Sequence, residues 1–454
     1  MSSEAAARGT PGGVGGALSR HTHIGYALGS VGTGAFATVP GLLLAYYLTD
    51  TLGVAAGLAA LVVAVPKLWD VIALPVVGRL SDRAADRSGS RRPFLLAGGL
   101  LLPVAFVALF AAPPSWSPEA SAVWVLIAFV LAATAFAVFQ VPYIAMPAEI
   151  TDSPTERTTL MSWRVAFLAV AILLAGAGAP AVRDAVGETP AGYLAMAVAV
   201  AALIALGMLG CWWMLRGVEP VRTVQSEARL RDALRVALAD RAFTRLLAVF
   251  ILQALATSAM LAAGQYFATY VLDDSKAITP LFVCLVAPAV LVMPLWMRVA
   301  RARGKAFGYT AATLLFLAGA LGLVASRALP VAAIYLLVAL CGIGYAGMQM
   351  FPLSLLPDVI ADDAERTGAN RAGVFTGVWT AGETAGFALG PAVVLAVLAI
   401  GGFVSSQPDE KVTQPDSAQL AVLLAFSVVP ALLILVSLPL LRRIGRASDL
   451  RTRE

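Results

Sequence analysis

Apolar and polar positions fall in long blocks along this chain, not in the short alternations of a soluble fold. Twelve mostly apolar stretches are separated by short polar ones. They run about Ile24 to Leu48, Val54 to Leu80, Phe94 to Ala112, Ala122 to Ala145, Leu160 to Val182 and Tyr193 to Leu215. After a longer polar gap come Ala242 to Leu272, Pro280 to Met297, Phe307 to Ser326, Val331 to Leu355, Ala372 to Ile400 and Leu420 to Leu441. Stretches of about 20 residues at 1.5 Å each cross a hydrocarbon core of roughly 30 Å. The pattern predicts an all-α integral membrane protein with twelve transmembrane helices.

The polar gap divides the spans evenly. Residues 216–241 carry Arg222, Arg229, Arg231, Arg235 and Arg241 among acidic residues, a spacing suited to an amphipathic helix on the inner surface. The expected layout is a disordered N-terminal tail (1–23), a six-helix half (24–215), this cytoplasmic linker (216–241), a second half (242–441) and a C-terminal tail (442–454). The tail shows no compact apolar core followed by a small-residue cleavage site, so it does not read as a signal peptide. An internal repeat supports the halves. Span four leads into PAEITDSPTERT from Pro147, span ten into PDVIADDAERT from Pro357, and each follows a proline five residues earlier, Pro142 and Pro352. Two parallel six-span halves are the layout of the major facilitator fold.

Composition narrows the function. Of 454 residues 59% are hydrophobic and 13% charged, against about 25% charged in soluble domains. The arginines sit in short loops beside spans, which disfavours nucleic acid as a partner. Cys211, Cys284 and Cys341 lie in apolar runs without metal-ligand spacing, and the two histidines, His21 and His23, precede the first span. A zinc or serine-histidine-aspartate enzyme has nothing to build with, so neither enzyme activity nor a cofactor or metal is expected. Basic residues concentrate in alternate loops, with only Arg183, Lys276, Arg327 and Lys411 expected outside. That asymmetry places both termini in the cytoplasm of a cell that holds the protein in its plasma membrane, the inner membrane of a bacterium.

Charges inside the apolar blocks are the candidates for chemistry, because an unmatched charge in hydrocarbon costs several kcal/mol. Asp70 lies about 18 Å along span two by the helical rise. Lys67, three residues before it, offers a simple structural ion pair as the competing reading. Glu383, in GVWTAGETAGFALGP, lies about as deep in span eleven. Both are assigned here as coupling carboxylates. Arg164, inside span five, either contacts substrate or snorkels to the interface. Gln140 can hydrogen-bond a polar solute, and Tyr143, Trp379 and Tyr26 complete the expected substrate site. At the inner ends, Asp82 with Arg83, and Glu149, Asp152 and Arg157 with Asp358, Asp362 and Arg366, suggest ion pairs that bias a gate; Lys67 joins this group through Asp70.

These residues resemble a known family: the glycoside–pentoside–hexuronide:cation symporters, the melibiose-permease-like branch of the major facilitator superfamily. Carrying the resemblance are Tyr26 and Gly29, then Tyr46-Tyr47-Leu48-Thr49-Asp50, Trp69-Asp70, Pro75, Gly78, Asp82, Gly89, Arg92, Pro93, Pro142 and Arg164. The resemblance implies that Asp70 matches the first aspartate of the family's cation site and Arg164 its helix-five arginine. Departures are equally plain. The second cation aspartate falls at Leu74, a sugar-binding aspartate near Gly34, the helix-four aspartate at Gln140, a nearby tryptophan at Ile144 and the helix-eleven lysine at Glu383.

The expectation is a secondary transporter, a monomer in the bilayer, moving a small organic solute such as a sugar or glycoside by alternating access. Proton-coupled symport is favoured over sodium because one carboxylate is lost and another gained. The competing readings are an exporter of amphipathic or lipid-like compounds by drug/proton antiport, favoured by Leu74, Gly34 and Ile144, and a transporter-derived sensor.

Overall fold

The computed structural model describes residues 18–88, 90–151, 153–218, 235, 237–367, 372–407 and 412–451. Twelve helices in it are long and apolar enough to cross a membrane: α1 (Arg20–Leu44), α2 (Ala56–Ala85), α3 (Arg92–Leu109), α4 (Pro118–Pro147), α5 (Glu156–Val186), α6 (Pro190–Met214), α7 (Arg241–Tyr270), α8 (Ser275–Arg303), α9 (Lys305–Ala328), α10 (Val331–Thr367), α11 (Val374–Ile400) and α12 (Asp416–Ile444). With twelve spans, α1 begins and α12 ends on the same side of the bundle, the terminal face; the α1–α2, α5–α6 and α11–α12 connections lie on the far face. Most of the tail, the polar linker and the acidic loop at 408–411 lie outside the described residues.

The two halves share one packing plan. In the first, α1 packs on α5 and α6, α3 on α4 and α6, and α2 on α4. In the second, α7 packs on α11 and α12, α9 on α10 and α12, and α8 on α10. Helices in hydrocarbon gain no hydrophobic drive from meeting, so small residues that let backbones touch decide which pairs form. Gly207 of α6 is one: a Cβ there would sit 2.8 Å from the Gly32 nitrogen and 2.9 Å from the Leu28 oxygen of α1. Gly390 of α11 does the same against α7, 2.5 Å from the Ala259 nitrogen.

The repeated segments differ in one respect. After α4 the chain turns extended at Thr151, and Ser153 caps the next helix with Pro154 in its first turn. The corresponding stretch of α10 stays helical through Thr367. Proline excludes the residue before it from the helical region, and Ala364 stands where Pro154 does. The end of α1 is also irregular: Pro40–Leu44 and Tyr47–Thr51 form widened π-type turns, with the Leu52 N–H reaching back five residues to Tyr47.

Several loop-level expectations change. Arg183 belongs to α5, not to an outside loop, and is fully buried. Its guanidinium meets Asp184 at 2.7 Å and donates to Gln265 of α7 at 3.0 Å, so a charge that counted as loop-exposed is a packed junction between the halves. Asp82 pairs with Arg91 at 2.6 Å, not with its neighbour Arg83, which is exposed. Adjacent residues on a helix point about 100° apart, so they rarely pair. Arg91 also binds Glu149. Arg366 pairs with Asp363, at 3.1 Å, and with Asp240, where Asp362 was expected; both acidic neighbours lie one turn back, and the same guanidinium nitrogen bridges Asp363 to Asp240 at the start of α7, so the contact with α7 selects between them. Asp358 is held by Lys305 at 2.6 Å, and Arg157 donates to the Thr151 carbonyl at 2.9 Å. Asp152 lies outside the described residues.

If backbone contact at Gly207 sets the α1–α6 pairing, Gly207→Val will destabilise the folded protein by about 1–3 kcal/mol, the range for overpacking. Gly57→Ala, where nothing lies within 4 Å of the added carbon, will not. Melting temperatures in detergent by intrinsic fluorescence check the contrast.

Candidate functional site

At the middle of the bundle the site is assembled from helices of both halves. On the first half, Tyr143 of α4 donates to the Tyr26 carbonyl of α1 at 2.8 Å and lies 2.8 Å from the Ser30 hydroxyl. Its ring stacks on Tyr26 at 4.7 Å and on Phe139 at 5.3 Å. This fixed platform carries Arg164 of α5, whose guanidinium carbon is 5.7 Å from the Tyr143 ring centre. Cation–π contact of this kind holds the arginine over the ring. Arg164 Nε is buried without a hydrogen-bond partner, and so is Gln140 Oε1 one turn before Tyr143.

The second half answers with Glu383. It lies half-buried on α11, whose preceding Gly382 lets the helix press on Leu247 and Ile251 of α7. Arg164 and Glu383 are close enough to act on each other electrostatically across the two halves, without forming a direct ion pair. Tyr345 of α10 feels the Glu383 charge and accepts a hydrogen bond from Gln349 at 3.2 Å. Each half thus brings one charge to this region, of opposite sign.

The other expected residues divide. Asp70 meets Lys67 at 3.9 Å on its own helix, and the Lys67 ammonium lies 5.5 Å from the Phe129 ring. It forms a local pair on α2, separate from Arg164 and Glu383. Tyr26 is fully buried behind Tyr143 and touches Met161 with its hydroxyl. Trp379 is enclosed in the second half, stacked on Phe250 at 4.6 Å, with its indole N–H unpartnered. Both therefore support the site from behind; the polar groups left for it are the unpartnered Arg164 Nε and Gln140 Oε1, with Glu383 and Tyr345 from the second half. In the sequence Tyr345 stands only as one of several span aromatics that could line a cavity or simply pack. Its signal is its place on span ten, one turn before Gln349, at a depth comparable to Glu383.

The far face closes the site from one side. Hydrogen bonds resolved between the halves gather there. Thr49 meets the Tyr266 hydroxyl at 2.7 Å, Thr269 the Tyr46 hydroxyl at 3.3 Å, and Tyr270 donates to Asp50. Ser405 donates to the Val54 carbonyl at 2.7 Å and the Ser406 N–H to the Thr49 carbonyl at 2.9 Å. Phe403 packs edge-on against Tyr266 and Tyr270. On the terminal face, the resolved ion pairs named above join helices of the same half. The widened turns at the end of α1 carry Tyr46, Thr49 and Asp50 into this seal.

Comparison with known proteins places the chain. The family described as MFS/sugar transport protein matches residues 25–445. A symporter of Synechocystis sp. is 27% identical over 91% of this chain and 92% of its own length. The glucuronide carrier protein homolog of Escherichia coli is 26% identical over 86% of each chain. Among solved structures, the D-xylose-proton symporter shares the fold, with a TM-score of 0.66 at 12% identity over 92% of this chain and 96% of that one. A twelve-helix bundle of two like halves is the architecture of a secondary transporter and not of an enzyme, and the chain belongs to the MFS/sugar transport protein family.

Proposed function

We propose that this transporter is a proton-coupled symporter for a small polar solute of the glycoside class, with both termini in the cytoplasm. The observation that carries the reading is the placement of Arg164 and Glu383, one charge from each half, within electrostatic reach of each other. A half-buried arginine and a half-buried carboxylate so placed partly neutralise one another. A proton on Glu383 releases Arg164, whose Nε and the nearby Gln140 oxygen are then available to hydroxyls or a carboxylate of the solute. Proton and solute therefore enter together, because each removes the cost of the other's site standing unmatched. Tyr345, half-buried on α10, supplies an aromatic wall on which a pyranose face can rest, while the fully buried Tyr143 holds Arg164 in place. Asp70, paired with Lys67, is a second carboxylate that can exchange its partner for a cation as the helices rearrange.

Alternating access follows from the packing. The far-face seal joins the halves through α1, α5, α7 and the α11–α12 loop. In this reading the terminal face is the cytoplasmic one, since the basic residues of Arg79 to Arg92 and Arg298 to Lys305 cluster there. The relative named as a glucuronide carrier homolog supports a glycoside as the solute class.

A thermal-shift panel of pentosides, hexosides and glucuronides identifies the solute; reconstituted protein then separates exchange from coupling. Glu383→Gln is expected to retain counterflow but to lose accumulation driven by a pH gradient, by about tenfold or more. Arg164→Ala is expected to lose both. Wild-type uptake indifferent to the pH gradient would overturn proton coupling. For orientation, a green fluorescent protein fused after Glu454 is expected to fluoresce in a bacterial host and an alkaline phosphatase fusion to be inactive; the reverse pattern defeats the assignment.

A further inference from the structure

The far-face seal holds a carboxylate that the transport site does not use. Asp50 sits in the second widened turn at the end of α1, outside the membrane-spanning segment, and is buried. Its two oxygens are taken by different halves: Thr49 of its own turn donates to one, and Tyr270 at the end of α7 donates to the other. Tyr46 and Tyr266, which also face Asp50, are stacked edge-on at 5.2 Å and bonded to Thr269 and Thr49. The nearby charges are Glu188, from the α5–α6 loop, and Arg183, which Asp184 and Glu188 hold at 2.7 Å and 3.6 Å. Ser406 and Gln414 flank Tyr270 from the α11–α12 connection, whose charged residues 409–411 lie outside the described residues. Among the described residues, Asp50's hydrogen-bond partners are the Thr49 and Tyr270 hydroxyls and no cation.

We infer that Asp50 is a further proton-binding site of this transporter, placed in the far-face gate, and that its protonation holds the two halves together on that side. The seam between α1 and α7 encloses the carboxyl only while the halves touch; when they part, water reaches it. Burial pushes the Asp50 carboxyl up to about 7 in the closed gate, against the pull of the Thr49 and Tyr270 hydrogen bonds and with a further push from Glu188. An aspartate open to water titrates near 3.9. The closed gate therefore binds the proton more tightly than the open one. By linkage, lowering the pH from about 7 toward 4 shifts the population to the closed gate, and above pH 7 the effect is spent. This device needs only the rocking of two halves. It is independent of which solute or coupling ion the central site takes.

The test reads gate separation directly, without solute. Spin labels are placed on Glu119→Cys at the start of α4 and Asp416→Cys at the start of α12, both exposed on the far face, in a background where Cys211, Cys284 and Cys341 are serine. Pulsed dipolar spectroscopy in nanodiscs at pH 8, 7, 6 and 5 is expected to show the short-distance population growing as pH falls, with a midpoint at or below about 7. Asp50→Asn should abolish that dependence and leave the gate in its low-pH distribution. Tyr270→Phe removes a donor that favours the ionised carboxylate, so its midpoint should rise by about one to two pH units. Should Asp50→Asn fail to fold, Tyr270→Phe and Thr49→Val carry the test in the same direction. A pH-independent wild-type distribution, a response that persists in Asp50→Asn, or an unmoved midpoint in Tyr270→Phe each overturns the inference. Counterflow by the wild type, measured separately, remains the test of the transport reading.

Discussion

A charge inside a membrane protein must be matched, and which element supplies the match decides what the charge can do. Arg164 and Glu383 act on each other electrostatically from opposite halves, without a direct ion pair. Any motion that separates the halves leaves both less well matched unless something else arrives. A pair within one helix, such as Lys67 and Asp70, carries no such tension, because rocking the halves does not stretch it. The distinction follows from geometry and the low dielectric of the interior, where an unpaired charge is costly. It explains why the arginine rests on a rigid aromatic platform: the Tyr143–Tyr26 stack is fixed by two hydrogen bonds and moves with the first half.

The halves are related by more than helix count. In each, the segment after the fourth helix reaches back to the start of that half's first helix. Glu156 meets His23 at 3.2 Å in the first half, and Arg366 meets Asp240 in the second. Asp240 caps α7 as Ser19 caps α1. The contacts are the same in place and opposite in charge. One scaffold has thus kept its packing while its polar contacts diverged, and Pro154 against Ala364 shows how one residue changes the local path without changing the plan.

Much of this was readable from the chain. The twelve spans, the equal halves and the repeat were legible because lipid imposes a length and a composition that few other environments do. Glu383 and Arg164 stood out for the same reason, being charges where charges are expensive. Arg183 was misplaced because sequence gives the end of a span only to within a few residues, and an arginine at that boundary can face water or protein. Arg91 was hidden among five arginines of one turn; only the fold selects it, by bringing Asp82 and Glu149 to either side. Asp50 drew notice as part of a motif but not as a buried group, since its burial is made by α7 and the α11–α12 loop, more than 200 residues away.

The sequence by itself determined what the membrane can see: the number and length of the spans, the duplication, and the presence of acids and bases in apolar segments. These follow from transfer energies that act residue by residue along a helix. Only the tertiary structure decided which charge meets which. Pairing across 3 to 6 Å depends on the rotation of each helix about its axis, and that rotation is set by interlocking glycines and side chains from distant segments. Arg91 set between Asp82 and Glu149, Asp363 chosen over Asp362, and a carboxylate sealed between the ends of α1 and α7 are all products of that packing.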